Sequence, residues 1–338
     1  AGTAVPPTRC RRDGVAADTP RAAQHGAFVR GAEYFDNARF GISREEAINT
    51  DPQQRLLLER GLEALHDNLG EPKLTGVFVG LAASDFAQIR SASAACMRPY
   101  AATACSFSIA SGRLSYTLDL HGPCVSIDTA CSSGLVACHS GRCALKLGEC
   151  TVSLVAAVNL MLQPVASINF ANAGMTSPSG RCHAFDSRAD GYARGEACVA
   201  VVLSSSVVAN GMLIGSCVRQ DGKSASLTAP NGQAQRALLR ACTATASVAS
   251  SNVLRIEAHG TGTALGDPIE VRSISGELLE KHTKTTGTSL SAAKSSWAHA
   301  EAAAGLAGLS ALLLCAAESS AIPNAQLRRA NPHIVAAL

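Results

Sequence analysis

The stretch Asp128-Thr129-Ala130-Cys131-Ser132-Ser133-Gly134 decides the fold, because one pattern of apolar residues ends there and another begins. A short apolar run, residues 125–127, precedes it. An amphipathic stretch follows, with apolar side chains at Leu135, Val136, Leu145 and Leu147. This order predicts a strand that runs into Cys131 and a helix that runs away from it.

A cysteine at such a turn is well placed to act as a nucleophile. The first turn of a helix has unpaired backbone N–H groups, and the helix dipole there favours a thiolate. The small residues Ala130, Ser132, Ser133 and Gly134 leave the approach to Cys131 open. The alternative is a buried cysteine that acts as a small hydrophobic residue, which is the role expected for most of the other twelve.

Two histidines occupy similar positions further along the chain. His259 ends the apolar run 253–258 and opens the loop Gly260-Thr261-Gly262-Thr263-Ala264-Leu265-Gly266. His299 follows Lys294-Ser295-Ser296-Trp297-Ala298 and precedes a helix rich in small residues. Together with Cys131, each in a turn rich in Gly, Ser or Thr, they suit acyl-thioester chemistry.

These residues resemble the motifs of beta-ketoacyl synthase (ketosynthase) domains of modular polyketide synthases, which belong to the thiolase-like superfamily. Asp128 to Ser133 matches the nucleophile motif, Glu257 to Thr263 matches the first histidine motif, and Lys294 with His299 and Glu301 matches the second. Further matches, in the family's order from about residue 26 to residue 333, are Phe40 to Ser43, Asp51 to Arg55, Phe185 to Glu196 and Thr228 to Gly232.

The resemblance implies a mechanism. Cys131 would accept an acyl chain from a phosphopantetheine thioester, and a malonyl-type extender on acyl carrier protein would lose carbon dioxide and attack it. By resemblance, His259 and His299 assist decarboxylation and stabilise the enolate oxygen by hydrogen bonds. The implied reaction is a decarboxylative Claisen condensation in polyketide or fatty acid elongation, catalysed by an acyltransferase of the 3-oxoacyl synthase type with no bound cofactor.

Three further residues receive a role from the resemblance. Lys294, five residues before His299, would set the electrostatics of the site; the alternative is an ordinary exposed ammonium group. Thr261 and Thr263 would lie where the pantetheine arm enters, and so bind substrate. Their alternative role is to cap the turn, for which threonine is a common choice.

The chain also departs from the family pattern. Gly134 stands where a third serine is usual, Ala197 where a glycine is common, and Ser296-Trp297-Ala298 where the family has Asn-Ile-Gly. The apolar strand that usually opens the domain and the Gly-Phe-Gly turn and strand that usually close it have no counterpart between the polar start and Leu338. An alternative function is therefore a truncated, inactive ketosynthase-like subunit that binds acyl carrier protein or a partner ketosynthase.

Helical and apolar segments alternate along the chain, which indicates an α/β fold. Helices are expected over 51–69, 132–147, 233–246 and 300–317, and strands over 76–80, 125–127, 152–159, 197–203, 212–218 and 253–258. The resemblance sharpens this to a thiolase-like five-layered α-β-α-β-α fold of two similar halves that lacks its first and last strands. The expected units are a polar segment or linker (1–25), a half with the nucleophile (26–205) and a truncated half with both histidines (206–338).

Bulk properties narrow the class of partner. The 338 residues are 47% hydrophobic, which is enough to form a large core. Only 16% are charged, which suggests a subunit interface as well, and the net charge is +3. Basic residues do not cluster with aromatic ones, so nucleic acid is not expected. No apolar run reaches the roughly 18 to 20 residues of a membrane span. Besides acyl carrier protein, the family implies a homodimer and contact with other polyketide synthase domains.

Thirteen cysteines without a Cys-x-x-Cys pair or zinc spacing favour a reducing compartment and no metal. The start of the chain has no apolar core of a secretory signal. The sequence therefore predicts an intracellular location, in the cytoplasm or in an organelle, the plastid included.

Two other enzyme classes fit less well. Gly260, Gly262 and Gly266 follow a strand as in a dinucleotide fingerprint, but the spacing is off by one and Asp267 follows where phosphate needs N–H donors. A cysteine hydrolase would explain Cys131 and one histidine, but not a second histidine motif with Lys294.

Overall fold

The structure is a computed structural model that describes residues 3–4, 19–66, 74–92, 100–205, 210–279 and 287–338. The strands are β1 (Thr3–Ala4), β2 (His25–Gly26), β3 (Thr75–Gly80), β4 (Cys124–Ile127), β5 (Val152–Asn159), β6 (Ala197–Ser204), β7 (Arg255–Glu257) and β8 (Ser289–Ser291). The helices are α1 (Arg44–Asn49), α2 (Pro52–His66), α3 (Asp85–Ser91), α4 (Ala101–Ala104), α5 (Phe107–Thr117), α6 (Ser133–Leu147), α7 (Pro164–Asn172), α8 (Gly232–Ala246), α9 (Gly266–Ile274), α10 (Lys294–Trp297), α11 (Ala304–Ala317) and α12 (Pro332–Val335).

The larger sheet has the strand order β4-β3-β5-β6. Strand β3 is parallel to β4 and β5, and β6 is antiparallel to β5. Successive side chains of a strand point to opposite faces. Those of β3 and β5 therefore supply both cores: Val77, Val79 and Leu154 pack with α2 and α5, and Phe78 and Val155 pack with α6 and the start of α11.

The smaller sheet pairs β7 with β8 in parallel. Its core includes Ile256, Val271 of α9 and Ile334 of α12. Helix α11 contacts both β6 and β7, so it lies between the two sheets. The layers follow as helices, sheet, helices, sheet and helices, which is the five-layered order expected from the sequence.

The nucleophile turn is packed closely against the start of α11. A Cβ added to Gly134 would lie 3.0 Å from the carbonyl oxygen of Ala302 and 3.1 Å from Cγ of Leu306. A side chain at position 134 would push these segments apart. Gly134 thus lets the start of α6 and the segment that carries His299 pack a few tenths of an ångström closer than a larger residue would.

Most expected elements form within two residues of their predicted bounds. An exception is the run 212–218, which forms no strand; each of its residues is exposed or half-buried. The expected helix end at Leu69 and most of the expected N-terminal segment (1–25) lie outside the described residues. Ala197 opens β6 without a positive φ, so alanine is tolerated where glycine is common.

No helix in the described ranges has both the length and the apolar character needed to cross a membrane. The cysteines that the structure describes are free thiols.

Candidate active site

Cys131 lies in the tight turn between β4 and α6, as the sequence predicts. Ala130 takes a left-handed conformation with φ 54°, which reverses the chain just before the thiol. The hydroxyl of Ser133 accepts from the N–H of Thr129 at 2.9 Å and donates to the carbonyl of Ala130 at 2.7 Å. The carboxylate of Asp128 accepts from the N–H of Ala130 at 3.0 Å. These bonds hold an unfavourable backbone conformation in place and present Cys131 half-buried at the start of α6.

His259 follows directly after β7 and Ala258. A buried carboxylate, Glu270 of α9, fixes its backbone: Oε1 accepts from the N–H of His259 at 2.6 Å, and Oε2 accepts from that of Gly260 at 2.8 Å. Because both oxygens are used on consecutive amides, Glu270 sets the direction in which the chain, and with it the imidazole, leaves the strand.

His299 is held by backbone pairing with the segment 193–195. Its N–H donates to the carbonyl of Ala193 at 2.8 Å, and its carbonyl accepts from the N–H of Gly195 at 2.8 Å. The residues on either side are unusual, since Ala298 has φ 71° with ψ −175° and Glu301 has φ 45°. The N–H of Glu301 donates to Nδ1 of His299 at 3.2 Å.

The three side chains meet at one point. The Sγ atom of Cys131 and one ring nitrogen of each histidine all lie within 4.8 Å of one another. The two imidazoles are edge to face, with centroids 5.3 Å apart and an interplanar angle of 87°. Tyr192 packs edge-on against the other side of His299 at 5.1 Å. One small substrate carbon centre can therefore contact a thiol and two imidazoles at once.

A sulfur and two imidazoles in this arrangement also resemble a metal ligand set. Two features make it a poor one. Because Nδ1 of His299 accepts a hydrogen bond, the ring proton belongs on Nε2, which leaves no lone pair there for a metal. The ammonium of Lys294 also acts on both the thiol and the imidazoles, and would repel a cation.

Lys294 is the first residue of α10 and is 6% exposed, so it is not an ordinary surface ammonium. Burial lowers its pKa, and the carboxylates of Glu270 and Glu257 oppose that effect. Glu257 is itself held by the N–H of Ala293 and the hydroxyl of Ser291, each at 2.6 Å. A buried lysine between two anchored carboxylates supplies a fixed positive field to the site.

Burial raises the pKa of the Cys131 thiol, and Lys294 and the backbone N–H of Cys131 itself partly offset this. The sequence predicts a favoured thiolate at this turn, and the structure shows why that expectation fails at rest. The thiol lies between α6 and the histidine segments, and loss of solvent outweighs the favourable charges.

Both histidines have lowered pKa values. For His299 the cause is burial, followed by the positive charge expected on its neighbours, His259, Lys294 and Arg194. For His259 the causes are burial of the ring and then the charge of Lys294. The residue as a whole still has exposed surface. Two neutral imidazoles at pH 7 can each donate one N–H hydrogen bond.

Thr261 and Thr263 lie on the loop after His259, with their hydroxyl oxygens 3.3 Å apart. The Thr263 hydroxyl also accepts from the N–H of Gly266 at 3.2 Å, which is the turn-capping role considered for it. The carboxylate of Asp267 takes the N–H of Gly262 at 3.1 Å. The loop amides are thus used within the protein, and a phosphate cradle of the dinucleotide type is not formed.

Sequence reasoning missed several residues that build the site: Glu270, Asp267 and the ion pair of Arg194 with Glu301. A usable signal exists for the first two. Carboxylates at positions 267 and 270, directly after a Gly/Thr loop, are spaced by one helical turn and face back toward the loop.

A cavity of about 1000 Å³ opens beside the nucleophile turn. One wall is formed by Thr129, Ser132 and Val136, and the other by residues 218–224 and 226–230. Thr129 and Ser132 belong to the same turn as Cys131, although Cys131 itself does not line the cavity.

Comparison with known proteins agrees with this geometry. Residues 2–209 match the family described as beta-ketoacyl synthase, N-terminal domain, and residues 210–328 match beta-ketoacyl synthase, C-terminal domain. The chain is 41% identical over 333 residues to a phenolphthiocerol/phthiocerol polyketide synthase of Mycobacterium tuberculosis, covering 95% of this chain and 18% of that protein. It is 39% identical over 310 residues to a mycocerosic acid synthase-like polyketide synthase of Mycolicibacterium smegmatis, covering 88% and 14%.

Solved structures show the same fold. The ketosynthase from module 6 of the bacillaene synthase of Bacillus subtilis 168 aligns with a TM-score of 0.88 at 34% identity, covering 98% of this chain and 59% of that one. An oxazolomycin ketosynthase domain of Streptomyces albus aligns with a TM-score of 0.91 at 30% identity, covering 98% and 61%. The thiolase-like fold predicted from the sequence is confirmed.

Proposed function

Because the chain belongs to the beta-ketoacyl synthase family, we propose that it is a condensing enzyme of polyketide chain elongation. It would join an acyl group held on Cys131 to a malonyl-type extender carried on acyl carrier protein, and so form a 3-oxoacyl thioester. The observation that carries this proposal is the convergence of one thiol and two neutral imidazoles within 4.8 Å, beside a buried lysine.

The first step is acyl transfer. The sulfur of Cys131 attacks the carbonyl carbon of a phosphopantetheine thioester. A new carbon–sulfur bond forms, the bond to the pantetheine sulfur breaks, and the proton lost by Cys131 is balanced by the proton that the departing pantetheine thiol gains. Because the pKa of Cys131 is raised, removal of its proton costs free energy in this step. The positive charge of Lys294 favours the thiolate that forms. The backbone N–H of Cys131, at the turn before α6, is a donor for the developing oxyanion.

The second step is condensation. Loss of carbon dioxide from the extender leaves an enolate, whose oxygen accepts N–H hydrogen bonds from His259 and His299. The enolate carbon attacks the acyl carbonyl, a carbon–carbon bond forms, and Cys131 is released. Neutral imidazoles suit this role because they donate hydrogen bonds without protonating the carbanion. No metal or organic cofactor is required by these steps.

Residues around Cys131, His259 and His299, here called the triad, suggest how substrate is held. We assign the cavity beside Thr129 and Ser132 to the acyl chain. We propose that Thr261 and Thr263 bind the pantetheine arm. Their hydroxyls face each other on the loop that follows His259. The observed cap from Thr263 to Gly266 competes with that role and is compatible with it, since a hydroxyl both accepts and donates.

The proposed partners follow from what the chain resembles. It spans 18% of the Mycobacterium tuberculosis polyketide synthase compared above and 59% of the bacillaene ketosynthase chain. Acyl carrier protein and other polyketide synthase domains are therefore the expected partners. An intracellular location suits them; the relatives compared are bacterial and give a plastid no support. The two halves, 26–205 and 206–338, are kept as proposed units, supported by family matches that meet at residue 209.

A homodimer is proposed on structural grounds as well. Strand β4 is the outer strand of its sheet, and its free edge meets no other strand of the described chain. Val125 on this strand is 39% exposed and Tyr116 nearby in sequence is 90% exposed. An edge strand with apolar side chains readily pairs with the same strand of a second copy.

The proposal is tested by intact-protein and peptide mass spectrometry after incubation with short acyl thioesters, followed by condensation with malonyl acyl carrier protein. The expected result is an acyl adduct on Cys131 and a product longer by two backbone carbons. Cys131→Ala abolishes both, because the variant lacks the sulfur that carries the acyl group.

The matched control is Cys143→Ala. Cys143 lies on α6, the helix that follows Cys131, and its sulfur also contacts an imidazole, Nε2 of His139, at 3.6 Å. This variant keeps full acylation and condensation. Well-folded protein that gains no adduct at Cys131 contradicts the proposal and favours the non-catalytic, carrier-binding alternative.

A further inference from the structure

We propose that Arg194 and Glu301 are positioning residues for His299, whose imidazole they hold in one orientation and one tautomer, with the Nε2 proton aimed at the reacting centre. Together we call them the Arg194–Glu301 clamp. The inference rests on the proposed function for its kinetic consequence, but its structural claim concerns the His299 ring itself and can be tested without turnover.

The clamp is a buried, two-point ion pair. Nε of Arg194 donates to Oε1 of Glu301 at 2.5 Å, and Nη2 donates to Oε2 at 3.0 Å. The side chains are 5% and 15% exposed. The third arm of the guanidinium, Nη1, donates to the hydroxyl of Ser167 on α7 at 2.7 Å, and the guanidinium carbon lies 5.2 Å from the centre of the Phe170 ring. Arg194 therefore has one available geometry, and Glu301 is drawn to it.

Both members of the clamp are linked to the backbone of His299, Arg194 through hydrogen bonds of its neighbours and Glu301 through the chain itself. Arg194 is the middle residue of the segment 193–195, whose flanking residues pair with the N–H and carbonyl of His299. Glu301 is two residues after His299 and has φ 45°, a conformation that a glutamate rarely adopts. Without a partner for its carboxylate, Glu301 would relax to negative φ and its N–H would turn away from His299.

That N–H determines the tautomer. It donates to Nδ1 of His299 at 3.2 Å, so Nδ1 must keep a lone pair and the single proton of the neutral ring lies on Nε2. Nε2–H is the donor that an enolate oxygen needs. A clamp that fixes φ at Glu301 thereby fixes which nitrogen of His299 can donate.

The clamp also affects the pKa of His299. The titratable and charged groups that act on His299 are His259, Lys294, Arg194, Glu301, Tyr192 and Cys131. Arg194 helps to lower the pKa of His299, and the carboxylate of Glu301 is neutralised by the pairing. Loss of Arg194 alone would expose His299 to an unpaired carboxylate and raise its pKa, whereas loss of the Glu301 charge alone would not.

A buried ion pair could instead serve only the stability of the fold. A second pair of the same two-point geometry, with side chains 66% and 5% exposed, offers a control for that role. Arg240 of α8 and Glu277 form another two-point pair, with distances of 3.0 and 2.7 Å, away from the triad. Glu277→Gln disrupts the same chemistry without any connection to His299.

The structural test is nitrogen-15 NMR of imidazole-labelled protein at pH 7, with the His299 signals assigned by their loss in His299→Gln. In the wild type, His299 is expected to show one neutral ring with its proton on Nε2. In Glu301→Gln and Arg194→Met, those signals should shift to the average of two tautomers or broaden. Glu277→Gln should leave them unchanged.

The kinetic test separates the two half-reactions. Acylation of Cys131 in the clamp variants should stay within about twofold of the wild type, because that step does not use the Nε2 donor. Condensation kcat should fall about 30-fold with little change in KM for malonyl acyl carrier protein, as expected when a donor used in the transition state is misplaced.

Arg194→Lys is the conservative variant that distinguishes charge from geometry. It keeps the cation but loses the two-point contact. It should leave the acidic limb of the condensation profile where the wild type has it, whereas Arg194→Met should move that limb to higher pH as the pKa of His299 rises.

Unchanged His299 signals in both Glu301→Gln and Arg194→Met would overturn the proposal, whatever the enzyme's activity. Equal losses of thermal stability and of acylation in the clamp variants and in Glu277→Gln would also overturn it, since the pair would then be structural only. Absence of any condensation by the wild type would reject the proposed function, while the NMR result would still decide the clamp.

Discussion

The half of the molecule that carries Cys131 and the half that carries the histidines hold their site residues by different means. In the first, the central strands β3 and β5 are almost entirely buried, and Val77, Val79 and Leu154 are 0% exposed. In the second, β7 is half-buried and α8 has no buried residue. There the site depends instead on glutamates that are held by hydrogen bonds. Glu270 accepts from the N–H of His259, Glu257 accepts from the N–H of the residue before Lys294, and the N–H of Glu301 donates to His299.

The difference indicates that the packing that stabilises the fold and the contacts that orient the two histidines are separable. Apolar packing fixes the nucleophile turn, so its geometry is as robust as the sheet. In the histidine loops, charged hydrogen bonds set the direction of the backbone, and a single carboxylate decides it at His259.

The largest effect expected is on stability, from Leu154→Ala in β5. Removal of a fully buried leucine leaves a cavity between the sheet and α2, so the free energy of unfolding should fall by about 3 kcal/mol. Urea denaturation followed by circular dichroism measures it.

The comparison variant is Leu239→Ala on α8, where the side chain is only partly buried. A loss of about 1 kcal/mol is expected there. Equal losses at the two leucines would show that the two halves are packed alike and would break the comparison.

Next in size is Glu270→Gln. The carbonyl oxygen of a glutamine still accepts from one of the two backbone N–H groups, but its NH₂ group faces the other, which is left without an acceptor, and the His259 loop can turn. Condensation kcat/KM should fall by a factor that corresponds to about 2 kcal/mol, while the melting temperature changes little.

The matched substitution is Glu63→Gln on α2, which removes a carboxylate from an exposed pair with Arg60. Full activity is expected. A Glu270→Gln protein as active as this control would mean that His259 does not depend on its carboxylate anchor.

Lys294→Met should have a smaller effect, concentrated in acylation. The ammonium lowers the pKa of Cys131 against the effect of burial, so its loss raises that pKa further and reduces the thiolate fraction at pH 7. The acylation rate should drop about tenfold at pH 7 and recover as the pH rises above the new pKa. Stopped-flow acylation across pH 6 to about 10 gives the profile.

Lys146→Met removes an exposed ammonium near the end of α6 and should leave the profile unchanged. A wild-type profile in Lys294→Met would show that this buried lysine has no electrostatic role at the sulfur.

The smallest effect is expected from Ala298→Gly. Alanine at φ 71° and ψ −175° occupies a region that is essentially reserved for glycine, so the substitution should stabilise the fold by about 1 kcal/mol. Ala300 is also buried but has φ −83°, and Ala300→Gly should destabilise by a similar amount. Thermal unfolding of the two variants decides whether strain is stored beside His299.

The sequence predicted the nucleophile turn and most strands because these depend on local patterns, such as the apolar run 76–80 and the small residues after Cys131. It missed the clamp and the role of Glu270, because those depend on contacts between segments up to 107 residues apart. The run 212–218 has the composition of a strand, yet forms none, since pairing requires a neighbouring edge as well as apolar residues.

The raised pKa of Cys131 has a consequence for its reactivity with small molecules other than substrate. A neutral thiol reacts slowly with peroxides and with alkylating agents, whose targets are thiolates. The burial that raises the pKa of Cys131 thus protects the sulfur from accidental modification between turnovers. On the proposed function, a thiolate is needed only while a thioester occupies the site, and a thiol that is protonated at rest is compatible with that demand.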